Sequence, residues 1–345
     1  MMKDKLNFLS MQTDPQSLDF EILPDDFSPA MAEEKESFLN KRPSISYWAD
    51  AWRRLKENKV AMVALGFLII VIIFAFIGPL FVKGDYTTQF RGDENLYPCL
   101  KYPFGTDKLG RNILTRTMYG TRVSLIVGVF ASLIVLVIGS LYGAISGYFG
   151  GKVDLIMMRI IDLVYSVPDV LVVILLSIGI NQPLRDWVNR SQSPFAQKLS
   201  VLGPALISIF IAFGLLYWVG MARIIRGQVL MLKQQEFVTA VNALGGSKWR
   251  IIKRHLYPNC IGQIIVMTAM QIPSAIFLES FLSFLGIGVA APMTSLGSMA
   301  ADALGGIYSY AYRLIIPSII LSLMILSLNL FSDGLRDALD PRLKK

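Results

Sequence analysis

The sequence predicts an all-α membrane protein with six transmembrane helices, on the evidence of its composition and its apolar blocks. Hydrophobic residues make up 54% of the 345 residues and Asp, Glu, Lys and Arg only 17%, whereas a soluble domain is about one-quarter charged. The apolar residues form long blocks, and residues 60–82 and 123–149 are 23 and 27 residues without a charge. Because about 20 predominantly apolar residues cross a bilayer as a helix, each block predicts a membrane span.

The N-terminal part of the chain predicts a tail and a surface helix before the first span. Residues 1–45 are polar and acidic, and we interpret them as a flexible cytoplasmic tail. Trp48, Trp52 and Leu55 then recur at helical spacing with basic residues on the other faces, which predicts an amphipathic helix lying on the membrane. This helix and the first transmembrane helix together occupy residues 46–82.

A polar loop and five further spans follow. Residues 83–119 are too polar for the membrane and predict an extracytoplasmic loop. The core of the protein is predicted at 120–338, and residues 339–345 are predicted to form a cytoplasmic C-terminus. The apolar blocks of the core cover residues 123–149, 157–180, 199–222, 256–278 and 314–332.

The basic residues predict the orientation in the membrane. Most of the 33 Lys and Arg residues fall in the N-terminal tail, the short turn near residue 152, the loop 223–258 and the C-terminus. Cytoplasmic loops carry such an excess, so we expect both termini and the loop 223–258 in the cytoplasm. The net charge of +8 therefore predicts contact with anionic membrane lipid and not with nucleic acid.

The loop 223–258 contains an apolar stripe outside the membrane. Phe237, Val241 and Leu244 recur at helical spacing, and Gly245 can end the helix in a left-handed conformation. A helix of this kind either rests on lipid or docks into a groove of a cytoplasmic partner. The pattern alone leaves both alternatives open.

Three acidic residues fall within or beside predicted spans, where charge is costly and often functional. Asp162 and Asp169 lie seven residues apart on one predicted helical face, and an Arg159–Asp162 ion pair is the simplest account of the first. Pro168 predicts a kink in that helix. Glu279, near the outer end of the fifth span, either bonds backbone amides of the Gly-rich segment 286–297 or lines the outer mouth of a translocation path.

A row of small residues on the second span predicts close helix packing. Gly139, Gly143 and Gly147 are spaced four residues apart, as in helices that approach one another closely in membranes. The row fits packing within the chain as well as packing against another subunit.

Motifs for catalysis and cofactors are absent from the sequence. No G-x-x-x-x-G-K-[ST] phosphate loop occurs, so the chain is not expected to bind ATP by that route. The single histidine, His255, is predicted to be cytoplasmic, which leaves neither a His-based metal site nor a Ser-His pair within the membrane. We therefore expect no catalytic residue, no metal and no cofactor.

The loop segment resembles the EAA loop of binding-protein-dependent ABC importer permeases. That loop has Glu-Ala-Ala, three residues, Gly, nine residues, Ile, one residue and Leu-Pro. Ala240, Gly245 and Pro258 match it here, while Thr239 replaces the Glu and Val241 replaces the second Ala. The ending at residues 254–259, Arg-His-Leu-Tyr-Pro-Asn, is similar to that of the peptide and nickel branch.

Two further segments resemble the same branch. Residues 104–112 are similar to its loop signature Leu-Gly-Thr-Asp-x-x-Gly-Arg-Asp, with Asn112 in place of the last Asp. Residues 278–288 resemble the end of its fifth span. The N-terminal helix leading into the first span resembles the extra segment of the second permease in such systems, and the resemblance covers roughly residues 46–340.

The resemblance implies a type I ABC importer permease in a bacterial inner membrane that is not itself an enzyme. Its implied partners are a second homologous permease, two ATP-binding subunits and an extracytoplasmic solute-binding protein, and its implied cargo is oligopeptide. Dipeptides, or nickel and metal chelates, are alternatives on the same machinery, and an ion-coupled secondary transporter is the alternative of a different class. The residues expected to couple to the ATPase are Glu236, Phe237, Thr239, Ala240, Val241, Leu244 and Gly245, and those expected near the translocation path are Glu279, Asp162 and Asp169.

Overall fold

A computed structural model describes residues 46–82, 84–191, 193, 203–289 and 291–340. The predicted tail at 1–45 and the C-terminal residues 341–345 lie outside the described residues. Contacts divide the chain into two units, residues 1–49 and 50–345. The second unit carries all the membrane helices that follow.

The described residues form an all-helical structure, as the apolar blocks predict. Six of its helices are long and apolar enough to cross a membrane, which confirms the predicted number. The helices are α1 (Tyr47–Glu57), α2 (Lys59–Phe76), α3 (Ile113–Phe149), α4 (Gly151–Tyr165), α5 (Asp169–Arg190), α6 (Pro204–Leu232, with a π-helical segment at Phe213–Tyr217), α7 (Glu236–Ala243), α8 (Lys248–Ile251), α9 (Ile261–Phe284), α10 (Leu296–Ala303) and α11 (Tyr312–Leu339).

The centre of the fold is the packing of α3 against α6. The row of glycines predicted on the second span faces α6, where an added Cβ on Gly143 would lie 2.4 Å from the carbonyl oxygen of Ala222. Gly139 and Gly147 also approach α6 closely. The row therefore packs within the chain, and it holds the two longest core helices in close contact.

The polar boundaries of several spans differ from the prediction. Helix α3 begins at Ile113, inside the stretch predicted as loop, where the side chain of Asn112 caps it by accepting from the amide of Leu114. Within this helix, Arg116 donates to Asp302 and Arg122 donates to the carbonyl of Ala75. Helix α9 begins later than predicted, at Ile261, because a turn at Cys260 separates it from the short helical segment Tyr257–Asn259. The polarity of a segment does not show whether its charged side chains pair with other protein groups, so it did not predict where α3 begins.

The third crossing is broken, which corrects the prediction of one kinked helix across residues 157–180. Helix α4 ends at Tyr165, and α5 begins at Asp169 with Pro168 as its N-cap residue. Proline fixes φ at a value suited to a helix start and lacks the N–H that a continuous helix needs. Asp162 and Asp169 therefore lie on two different helices, not on one face of a single helix.

Candidate functional site

Helix α7 projects from the core on the loop between α6 and α8, and one buried residue anchors it. Val238 is fully buried against the core cluster that includes Ile251 and Val229. The sequence pattern did not single out Val238, because it lies between the residues of the predicted stripe. A short helix attached at one point can present its remaining faces to another molecule.

The predicted apolar stripe lies largely on the surface of α7. Phe237 is 39% exposed and Leu244 is 87% exposed, whereas Val241 is half-buried against the core. Glu236, Thr239 and Ala240 are exposed as well. Two large apolar side chains thus face outward at opposite ends of an eight-residue helix.

Gly245 ends α7 as predicted. Its φ is +77°, and the amide of Gly246 donates to the carbonyl of Val241 at 2.9 Å. This bond closes the helix in the manner of a Schellman motif, which requires a left-handed residue that glycine supplies without strain. Ser247 then caps α8 by accepting from the amide of Arg250. The turn fixes the exposed position of Leu244.

Polar contacts connect the base of α7 to the membrane core. Arg226 on α6 donates from two nitrogens to the carboxylate of Asp154 on α4, each at 2.5 Å, and the hydroxyl of Ser146 donates to the same carboxylate. Lys233, just before α7, donates to the carbonyl of Tyr148 at 2.6 Å. These contacts therefore hold α3, α4 and α6 together beside the loop that carries α7.

Asp169 lies at the edge of a cavity that opens between the membrane helices. The cavity has a volume of 360 Å³, and its lining residues come from α5, α6, α9 and α11. The hydroxyl of Tyr217 donates to one carboxylate oxygen of Asp169 at 3.1 Å, and the amide of Val170 donates to the other at 2.8 Å. The prediction that Asp169 lies near a path is thus compatible with its position.

Asp162 has a different partner from the one predicted. Its carboxylate accepts from Arg223 on α6 at 3.1 Å, a residue 61 positions away, and not from Arg159 one turn earlier. The guanidinium of Arg223 also lies over the ring of Tyr165, 4.6 Å from its centroid. Asp162 does not line the cavity that contains Asp169, so this contact supports a structural role.

Glu279 is fully buried and surrounded by serine hydroxyls. Ser124 and Ser283 each donate to its carboxylate at 2.7 Å, and Ser280 donates at 3.2 Å. The hydroxyl of Ser283 in turn accepts from the amide of Val289. Glu279 therefore reaches the Gly-rich segment through a serine and not directly through backbone amides, as one alternative predicted. Its burial gives no support to the other alternative, the outer mouth of the path.

The segment at residues 105–112 forms a compact hydrogen-bonded cluster, the Asp107 cluster, beside the N-terminal end of α3 and far from α7. Asp107 accepts from the amides of Leu109 and Arg111 and from the guanidinium groups of Arg111 and Arg116. Burial alone would raise the pKa of Asp107, but Arg116, these amide donors and Arg111 together hold it below its usual value. The carboxylate is thus ionised and lies at the centre of the Asp107 cluster.

Asp302 connects the Asp107 cluster to α10. Arg116 donates to Asp302 at 3.0 Å, and Arg111 reaches the same carboxylate at 3.4 Å. The hydroxyl of Tyr312 on α11 donates to the carbonyl of Thr106 at 2.9 Å. Sequence reasoning used residues 104–112 only as a family signature. The structure shows that they fasten the loop to α3, α10 and α11.

In the described part of the chain, six helices long and apolar enough to cross a membrane define the class of the protein as a multi-pass membrane protein. Binding-protein-dependent transport system inner membrane components match residues 139–345, and the N-terminal TM domain of oligopeptide transport permease C matches residues 46–98. The chain belongs to the family of binding-protein-dependent transport system inner membrane components, as its sequence motifs predicted, and it is a multi-pass protein of the inner membrane.

Relatives match this chain along nearly its whole length. The dipeptide transport system permease protein DppC of Bacillus subtilis is 44% identical over 340 residues, which cover 98% of this chain and 99% of the relative. The oligopeptide transport system permease protein OppC of the same organism is 41% identical and covers 92% and 97%. The glutathione transport system permease protein GsiD of Pectobacterium atrosepticum is 33% identical and covers 86% and 92%.

Proposed function

We propose that this chain is a permease subunit of an ATP-driven ABC importer and forms half of a translocation path for oligopeptides. The relatives' names, which refer to oligopeptide and dipeptide transport, support peptide as the cargo over nickel or a metal chelate. An ion-coupled secondary transporter gains no support from them. The observation that carries the ATP-driven mechanism is the exposed stripe of Phe237 and Leu244 on α7.

The partners follow from this proposal. Two ATP-binding subunits would hydrolyse ATP, a second homologous permease would complete the path, and an extracytoplasmic solute-binding protein would deliver the peptide. Relatives of this chain are permease subunits, so we assign catalysis to the ATPase partners and none to this chain. Dipeptides are a second candidate cargo, because the 44% identical relative is named for dipeptide transport.

Coupling would begin at α7 and reach the cavity through the polar contacts at its base. Phe237 and Leu244 would occupy a groove of one ATP-binding subunit, as an amphipathic helix does in a partner groove. Closure of the two ATPases would displace α7, and the Asp154–Arg226 and Lys233–Tyr148 contacts would move α3, α4 and α6 with it. Packed helices shift as rigid bodies in such transitions.

Co-purification with an uptake assay tests the proposed function. We expect the tagged chain, extracted in mild detergent, to carry with it two ATP-binding proteins and a second permease. Reconstituted with the binding protein, the complex should take up labelled oligopeptide only when ATP is present on the ATPase side. Uptake that persisted without ATP and followed an ion gradient would overturn the proposal in favour of a secondary transporter.

The orientation is tested with the chain's own cysteines. Cys99 is exposed in the loop proposed to be extracytoplasmic, whereas Cys260 is buried. We expect a membrane-impermeant maleimide to label Cys99 in intact cells and to leave the Cys99→Ser variant unlabelled. A cysteine introduced by Ser247→Cys in the Cys99→Ser background should react only after the membrane is permeabilised. Labelling of that site in intact cells would reverse the proposed orientation.

A further inference from the structure

Asp169 lies at the middle depth of the membrane helices, although it is the first residue of α5. Its hydrogen-bond partner Tyr217 falls near the middle of the span Pro204–Leu232. Successive contacts along α6 give the same depth, because Asp154 meets Arg226, Asp162 meets Arg223, and Asp169 meets Tyr217. Helix α4 thus runs beside one half of α6, and the break before Asp169 lies at the midplane.

The carboxylate of Asp169 carries an unbalanced negative charge at this depth. It forms no salt bridge within the part of the chain that the structure describes, and its partners are a phenol and a backbone amide. Asp169 is exposed. A charged side chain at the midplane faces protein or water and not lipid.

The surroundings of Asp169 have the mixed character of a peptide site. Ser274 and Asn329 add a hydroxyl and an amide to the cavity, and Phe277 and Leu278 add apolar surface. Ser274 and Phe277 are both exposed. Cavities that bind small ligands are about 300–1,000 Å³, mostly apolar, with few polar groups that fix orientation. A discontinuous helix at the midplane is a common place for such a site.

We infer that Asp169 forms a transit site for an alkylammonium group of the peptide, with Tyr217 holding the carboxylate in position. This inference rests on the proposed function and assigns to Asp169 the recognition of a positive charge on the peptide within the path. The ammonium comes either from the amino terminus of the peptide or from a lysine side chain, and the experiment separates the two. The cation would replace the ion partner that Asp169 lacks and would donate a charge-assisted hydrogen bond to the carboxylate.

A pair of thiol reagents tests the site without requiring transport. In the assembled complex with Cys99→Ser, a thiol is introduced by Ser274→Cys, and its reaction with aminoethyl methanethiosulfonate is compared with that of the anionic sulfonatoethyl reagent. We expect the cationic reagent to react about tenfold faster relative to the anionic one than it does with free cysteine. Asp169→Asn should remove most of this preference, because Asn keeps the size and an acceptor oxygen but not the charge.

Asp162→Asn is the matched control, since it removes a neighbouring charge that is paired with Arg223 outside the cavity. We expect it to leave the preference unchanged. An equal preference in the parent and in Asp169→Asn would overturn the inference, and so would a failure of both reagents to reach the introduced thiol. Because neither reading depends on uptake, a chain that failed the uptake assay would still give a definite answer here.

Protection of the same introduced thiol identifies the source of the ammonium group. Tri-alanine amide carries only an α-ammonium, Nα-acetyl-lysine amide only a side-chain ammonium, and N-acetyl-tri-alanine amide neither. We expect at least one of the first two to slow the modification of this thiol, and the third to have no effect. Asp169→Asn should abolish the protection. Equal protection by all three compounds, or protection that survives Asp169→Asn, would show that the cavity does not read the charge.

Discussion

Replacing both Phe237 and Leu244 with alanine is expected to abolish ATP-driven uptake while the chain still inserts into the membrane. Both side chains are exposed on α7, so their loss removes little from the core of this chain. In a partner groove, truncation of an apolar anchor costs about 2 kcal/mol or more, which corresponds to roughly 30-fold in affinity for each residue. The measurements are the amount of ATP-binding subunit that co-purifies and the rate of peptide uptake.

Two single variants serve as controls for this coupling prediction. Asn242→Ala alters a polar residue of the same helix that is exposed, and it should leave both uptake and co-purification near the parent level. Val238→Ala creates a cavity at the buried anchor of α7 and should lower the stability of the loop. Parent-level uptake by the double variant would show that α7 rests on lipid and does not dock to an ATPase.

The long apolar blocks made most of the fold readable from the sequence. A span such as Lys59–Leu80 is defined by its own composition, and the short helix ended by Gly245 is defined by local spacing and by the conformational freedom of glycine. These features depend on residues close together in the chain. The stripe on α7 was predicted for that reason, although its anchor Val238 was not.

The remaining features depend on contacts between distant parts of the chain. Asp162 was assigned to Arg159, its nearest basic neighbour, yet it pairs with Arg223 on another helix. The break at Pro168 could not be distinguished from a kink, because proline fits both a bent helix and the start of a new one. The serine shell of Glu279 includes Ser124, 155 positions away. A single sequence does not show which of many polar residues meet after folding.

The Asp107 cluster is a case in which the sequence shows a motif but not the structural role of that motif. Residues 104–112 were similar to a family signature, but nothing in their spacing indicated that Arg116 and Asp302 complete the same network. Gly110 lies in the same loop, and this position requires glycine because its φ is +70° and an added Cβ would lie 2.1 Å from the carbonyl oxygen of Phe90. The signature therefore reflects a folded loop that only glycine and a carboxylate at these positions allow.

Asp107→Asn is expected to destabilise the protein strongly. Asp107 and Arg116 are each about 95% buried, since both side chains are 5% exposed and lie 2.6 Å apart. Asparagine keeps the size of the side chain but leaves the guanidinium of Arg116 in a buried site without its closest anion. Breaking a buried pair in this way costs about 3–5 kcal/mol. We expect the melting temperature of the purified complex to fall by about 5 °C.

Cys260 supplies the measurement for this prediction, because it is buried in the folded chain and becomes reactive on unfolding. Heating the Cys99→Ser complex with a thiol-reactive dye should give one transition, and Asp107→Asn should move it to lower temperature. Asp302→Asn is the matched control, since Asp302 touches the same arginines but is 39% exposed, and a solvated pair contributes about 1 kcal/mol or less.

The pH dependence gives a second check. Because the folded-state pKa of Asp107 is lowered, the contribution of Asp107 to stability is complete above the usual aspartate range and is lost as the pH falls through the lowered value. The two variants should therefore differ in melting temperature at neutral pH and converge in strong acid, and equal melting temperatures at neutral pH would contradict a central role for Asp107.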